Sequence, residues 1–234
     1  MLAITKSIAL QGLYGYLVSI QVDISNGMPY FEIVGLPDAS VKESKERVKT
    51  AIRNSNIEFL SRRIVVNLSP ANTRKEGSMF DLPIAVGILI ANKSIRNSNL
   101  KTLLEETIFI GELSLNGDIE ETKGILPICI EAKRLGIKRI ILPKQNEKEA
   151  SILKEIEILP VNTLKEVILY LNGKKEIVQE ESSNSELTKN KQYEYDFSEV
   201  KGQENVKRAL EIAASGGHNC LLIRSARFWK NYVS

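Results

Sequence analysis

Two cysteines, one histidine and one tryptophan are all that the 234 residues contain of those types. Cys129 and Cys220 are too few for a disulfide framework or a zinc cluster, so an ordinary core must hold the fold. Scarce cysteine fits a reducing, cytosolic compartment. His218 has no second histidine to share a metal with, and it reads as structural rather than catalytic. Long apolar runs are missing too. The longest, Leu82 to Ala91, is about half of the roughly 20 residues that a membrane span needs. The opening MLAITKSIAL has no basic n-region and no small-residue cleavage site, so no signal peptide is expected. Neither sign of charge dominates: 32 Lys+Arg against 29 Asp+Glu leave a net +3. That permits an acidic partner without demanding one.

What is present is the texture of a globular protein. The chain is 43% hydrophobic and 26% charged, which excludes a collagenous or wholly disordered chain. Its length suggests one or two domains. A chain of this size buries about 70% of its unfolded surface and needs no covalent staple. Residues 1–172 alternate strand-like and helix-like patterns. Residues 173–195 are rich in Lys, Glu, Ser, Asn and Gln and poor in aliphatics, the composition of a flexible linker. Residues 196–223 restart a structured pattern, and residues 224–234 form a tail.

Ile4–Leu10, Tyr16–Ile24 and Tyr30–Val34 read as three antiparallel strands, with Asn26-Gly27 as the second turn. A first helix is predicted over Ser40–Asn54, with Ser40 as N-cap and Glu43 completing a capping box. Its buried face holds Val41, Ser44, Val48, Ala51 and Ile52. Arg63–Leu68 reads as a buried strand, Pro70–Gly77 as a polar loop, and Leu82–Asn92 as a buried helix that Asp81 would cap. Ile108–Leu115 reads as a strand, and a helix from Ile125 ends before Gly136. Strands at Arg139–Leu142 and near 156–160 alternate with helices near 145–154 and 163–171. A helix over Asn205–Ala214 and a strand over His218–Ile223 close the pattern. Strands first, then alternating helices and strands, imply an α/β (α+β) sandwich.

Four strings carry a resemblance. NLSPANTRKEGSMFDLPIAVGIL and PYFEIVGLPDASVKESKERVKTAIRNS resemble the ComM/YifB family of magnesium chelatase-like AAA+ proteins, as do IFIGELSLNGDI and LGIKRIILPKQNEKEA. The resemblance implies that residues 1–172 adopt the fold of the Lon protease C-terminal domain, itself similar to ribosomal protein S5 domain 2. It implies that residues 196–223 open an AAA+ ATPase module of the magnesium chelatase subunit I type. Full-length members are expected to be homohexamers that use ATP and Mg2+ and act on DNA in recombination, branch migration and natural transformation. A fragment of a true magnesium chelatase subunit is the alternative on the ATPase side.

Lon-type proteases use a serine activated by a lysine. Laying FDLPIAVGIL on that motif puts Asp81 at the serine position and Leu126 at the lysine position. Neither side chain does that chemistry, so no catalytic residue is expected, and a Lon-like serine peptidase is the alternative on this side. After Ile223 a Walker A motif, G-x-x-x-x-G-K-[ST], is expected to hold phosphate. The chain instead reads RSARFWKNYVS, and the 234 residues contain no such motif. If Arg227 is encoded AGG, reading one nucleotide later permits Gly-Ser-Gly-Lys-Thr-Met. The tail therefore reads as out-of-frame translation of a lost phosphate loop, with no cofactor for this chain and no metal.

The remaining candidate is a basic face. Lys42, Lys45, Lys49 and Arg53 on the first helix, with Arg62, Arg74 and Lys75, form a surface for weak, salt-sensitive, non-specific DNA binding. The pairs Glu43–Arg47 and Glu46–Lys49 would offset part of its field. No aromatic residue interleaves with these positions in sequence, so base stacking is not expected.

Overall fold

The computed structural model describes residues 2–12, 14–177 and 200–223. The chain divides into two compact units, Met1–Ser182 and Ser183–Ser234.

The first unit opens with a long hairpin, β1 (Leu2–Gln11) against β2 (Tyr14–Ser25), in antiparallel register from Leu2↔Asp23 to Gln11↔Tyr14. Alternation along β2 buries Val18, Ile20, Val22 and Ile24 on one face. The third strand, β3 (Tyr30–Val34), does not continue the meander. β4 (Arg63–Ser69) lies between them, antiparallel to β2 and parallel to β3, giving the order β1-β2-β4-β3. The expectation of three consecutive antiparallel strands is corrected here. The crossover from β3 to β4 contains α1 (Ala39–Asn54), and a helical crossover joins parallel strands.

The buried face of α1 is the one its periodicity indicates: Val41, Ser44, Val48, Ala51 and Ile52. Its cap differs. Asp38, not Ser40, is the N-cap, accepting from the Val41 N–H at 2.8 Å. Before it, Gly35 sits at φ 100°, where a Cβ would stand 2.2 Å from the Leu68 carbonyl oxygen; only glycine fits that close backbone approach.

α2 (Asp81–Ala91) is buried at every position. It presses onto the hairpin: Thr5 Oγ1 donates to the Pro83 carbonyl at 2.9 Å, and a Cβ on Gly87 would lie 2.6 Å from Val22 Cγ2. Asp81 does not cap this helix; its side chain makes no capping bond. The short α3 (Leu100–Glu106), which the sequence pattern did not suggest, leads into β5 (Thr107–Phe109).

The strand predicted over Ile108–Leu115 is broken. β5 ends at Phe109, and β6 (Glu112–Leu113) pairs instead with β7 (Ile119–Glu120). α4 (Ile125–Arg134) ends as predicted, with Gly136 at φ 71°. β8 (Arg139–Pro143), the short α5 (Glu147–Ala150), β9 (Glu157–Val161) and α6 (Leu164–Leu171) complete the unit. β5, β8 and β9 form an all-parallel three-stranded sheet. Two apolar clusters result. The larger joins the four-stranded sheet to α1 and α2; the smaller gathers Ile108, Ile128, Cys129, Ile140 and Ile158 around the parallel sheet.

Burial pushes the Cys129 thiol up to about 12, with the Glu149 carboxylate adding to the shift. A thiol held that high has almost no thiolate near pH 8. A maleimide should therefore label one cysteine of the native protein, the exposed Cys220, and two in denaturant. Equal labelling rates at Cys129 and Cys220 in the native protein would contradict this.

In the second unit, α7 (Glu204–Gly216) spans the expected helix. His218–Ile223 is not a strand, contrary to the sequence reading; Leu221, Leu222 and Ile223 are exposed. An apolar run becomes a strand only where a neighbour supplies ladder partners, and none forms there among the described residues. Most of the 173–195 linker and the whole 224–234 tail lie outside the described residues.

Candidate functional site

Two places on the first unit hold the residues singled out in the sequence. The first is the corner where α2 begins. Asp81 is fully buried. One carboxylate oxygen accepts from Arg47 Nε at 2.6 Å and from the Leu113 N–H at 3.2 Å; the other accepts from Arg47 Nη2 at 3.1 Å and from the Ser44 hydroxyl. Arg47 also donates to the Ser40 carbonyl at 3.0 Å, tying the corner to the start of α1. Burial raises the Asp81 carboxyl above the ordinary carboxylate range, and Arg47, Ser44 and the Leu113 N–H pull it back. This carboxylate is committed on both oxygens and shielded from solvent. It is a structural anchor, with no open position for a reacting group.

Leu126 lies in the first turn of α4, half-buried, its N–H held by Glu149 at 2.9 Å. Beside the corner, a cleft of about 330 Å³ is lined by Ser78, Glu112, Thr122 and Lys123 among others. The Ser78 hydroxyl donates to the Glu112 carboxylate. Serine, carboxylate and lysine thus share one cleft, but the serine's partner is an acid rather than an amine.

The second place is the basic face of α1. Lys45, Lys49, Arg53 and Arg62 line one groove of about 230 Å³. Lys42 is exposed on the same helix. Lys45 has Glu32 at 3.9 Å, while among the described residues no carboxylate lies within ion-pair distance of Lys49, Arg53 or Arg62. Glu43 does pair with Arg47, at 3.7 Å, but Glu46 and Lys49 do not pair. Arg74 is exposed and near Glu76 at 3.4 Å.

Lys75 leaves the group. It is fully buried, and its ammonium donates to the carbonyls of Pro70 and, at 2.7 Å, of Thr73. A lysine in a polar loop reads as solvated; here its backbone is bonded to Leu36 and Asp38, and its ammonium turns back onto the carbonyls of its own loop. The groove also holds what the sequence did not suggest. Tyr30, Phe31 and Phe59 line it. The rings of Phe31 and Phe59 stack with centroids 6.2 Å apart, and the Arg53 guanidinium lies 5.8 Å from the Phe59 centroid. The aromatics come from β3 and from the link after α1, so no local pattern reveals them.

An α/β unit with a buried Asp–Arg anchor and a basic groove, followed by a second, smaller unit, is the class of protein that this geometry defines. Known proteins make the class specific. The family described as "Subunit ChlI of Mg-chelatase" matches residues 20–146, and "Magnesium chelatase, subunit ChlI" matches residues 196–231. The competence protein ComM of Haemophilus influenzae is 40% identical over 228 residues, 95% of this chain and 43% of that protein. The protein YifB of Escherichia coli is 36% identical over 222 residues, 95% of this chain and 42% of YifB. A more distant match is Lon protease 2 of Bacillus subtilis, 28% identical over 173 residues, 66% of this chain and 30% of the protease. The chain belongs to the ComM/YifB family of magnesium chelatase-like proteins. It spans about two fifths of the length of the curated relatives it matches.

Proposed function

We propose that this chain is the N-terminal part of a ComM/YifB-type AAA+ protein that acts on DNA, and that its 234 residues contain neither a working ATPase site nor a peptidase site. The observation that carries the reading is the match to a competence protein along 95% of the chain. On this reading the first unit is the Lon-like domain and residues 196–223 open the ATPase module. ATP, Mg2+ and a homohexameric ring belong to the full-length form, which works in the cytoplasm. The contribution of the first unit to DNA binding is weak and electrostatic, through Lys42, Lys45, Lys49, Arg53, Arg62 and Arg74.

Two features support the absence of hydrolytic chemistry. Phosphoryl transfer needs a phosphate loop, a metal-holding carboxylate and an arginine finger brought together, and the sequence contains no G-x-x-x-x-G-K-[ST]. On the peptidase side, Asp81 is bound by Arg47 and Ser44 and has no free oxygen to act as a nucleophile. The Ser78 hydroxyl donates to Glu112, a much weaker base than the lysine amine that takes the proton from a Lon-type serine.

The purified chain should show no ATP turnover above buffer, with or without single-stranded DNA, and no cleavage of unfolded casein. DNA-stimulated phosphate release that survives further purification would overturn the ATPase half. Casein cleavage abolished by Ser78→Ala would overturn the other.

A further inference from the structure

We infer that the groove between α1 and β3 is a binding site for single-stranded DNA, in which unpaired bases stack beside Phe59 and Tyr30 while Lys45, Lys49, Arg53 and Arg62 hold the phosphates. This deepens the DNA-binding reading above and rests on it.

The cations come in a row. Lys45, Lys49 and Arg53 are four residues apart along one helix, so they stand on one face at intervals of about 6 Å, spread over about 12 Å. That is more than three steps of a stacked strand at about 3.4 Å each. Arg62, from the segment before β4, extends the row across the groove. Lys49, Arg53 and Arg62 have no carboxylate partner among the described residues. Lys45 has only Glu32, at 3.9 Å with both side chains about a third exposed. An exposed pair of that kind is worth little and yields readily to a phosphate. Glu46 is the one acidic residue that lines the groove.

The aromatics decide the kind of polyanion. Phe31 and Phe59 stack at an interplanar angle of 30°, and the Arg53 guanidinium lies over the Phe59 ring, so the aromatic pair and a planar cation together form a stacking platform for a base. Tyr30, half-exposed at the groove's rim, adds a second ring; its hydroxyl bonds to Glu32 at 3.1 Å. A carboxylate-rich peptide brings no aromatic face to such a platform. Duplex bases have their faces covered by neighbours. An unpaired base has a free face, and stacking on an aromatic ring is the sequence-tolerant contact that single-strand-binding surfaces use beside their cations.

The test uses the whole 234-residue chain and a short fluorescent oligothymidine at low salt, with a duplex of equal length, an RNA strand and poly-glutamate as comparison probes. The single strand should bind about ten-fold tighter than the duplex, with a log–log salt slope of roughly −3 for four neutralised phosphates. Phe59→Leu keeps an apolar side chain but removes the ring, and should weaken the single strand about ten-fold while leaving the duplex unchanged. Tyr30→Ala, at an exposed rim position, should act in the same direction and covers the case in which Phe59→Leu does not fold.

Equal binding of single strand and duplex, insensitive to both aromatic variants but lost in Lys45→Glu/Lys49→Glu, would overturn the single-strand site and leave the electrostatic reading standing. No binding of any DNA at low salt would overturn both. Poly-glutamate binding as tightly as DNA, or RNA binding more than ten-fold tighter, would assign the groove to another partner and overturn the inference.

Discussion

Arg47→Met should be among the most damaging single substitutions in this protein, costing about 3–5 kcal/mol. Asp81 has no solvent exposure, and Arg47, only 19% exposed at its side chain, is its ion-pair partner. Methionine roughly preserves the length and apolar stem but removes the charge. The Ser44 hydroxyl and the Leu113 N–H remain, and two neutral donors do not compensate a buried carboxylate. Removing one partner of a buried pair costs more than the pair itself contributes, because a charge is left without its counterion. For a unit of this size the loss should lower the melting temperature by on the order of 10 °C. The double variant Arg47→Met/Asp81→Leu tests the cause. With both charges gone, much of the loss should return. A melting temperature for Arg47→Met within a degree or two of wild type would show that Asp81 is not held as an ion, and a double variant no better than the single one would show that lost packing, not charge, is responsible.

That anchor marks the boundary of what the sequence discloses. The inner face of α1 was legible, because Val41, Ser44, Val48, Ala51 and Ile52 recur at helical spacing. So was the burial of α2, whose composition leaves no polar side to expose. Asp81 was visible as a residue at a helix start, but its partners lie 34 and 37 residues earlier, and nothing local chooses a distant arginine over a backbone cap. β3 was legible as a strand and misplaced in the sheet: its pattern gives a buried face, whereas its neighbour is set by the crossover through α1. The groove follows the same logic. Its cations share one helix and show in the sequence; Phe31 and Phe59 meet only after β3 and the link behind α1 fold together. His218–Ile223 failed the other way, since its apolar composition suggests a strand and the ladder that would make it one is not formed.

Lys75 carries the second large expected effect. It should be judged by stability rather than by DNA binding. Lys75→Glu would place a carboxylate against the Pro70 and Thr73 carbonyl oxygens, in a site with no solvent access. A buried charge with only acceptors around it should cost about 3–5 kcal/mol, and the loop would open to relieve it. The damage would spread, because this residue's backbone joins two segments. Its N–H donates to the Leu36 carbonyl at 3.1 Å, and its carbonyl accepts at 3.0 Å from the N–H of Asp38, the residue that caps α1. Lys75→Met keeps those backbone bonds and leaves only the two carbonyls unsatisfied, so about 1–3 kcal/mol is expected. The pH dependence separates charge from packing. Burial lowers the Lys75 ammonium below its ordinary value of 10.5. Between that lowered value and 10.5 the unfolded chain binds the proton more readily, so this group makes the wild type more stable as pH rises. The advantage of wild type over Lys75→Met should therefore grow from neutral pH toward pH 10, as read from urea midpoints at each pH. An advantage that stays flat or shrinks would mean that the ammonium is as well solvated folded as unfolded, and Lys75 would return to the exposed basic surface. If it holds, variants meant to probe the DNA groove should change Lys45, Lys49 or Arg62 and leave Lys75 alone, since a folding defect at Lys75 would pass for a lost phosphate contact.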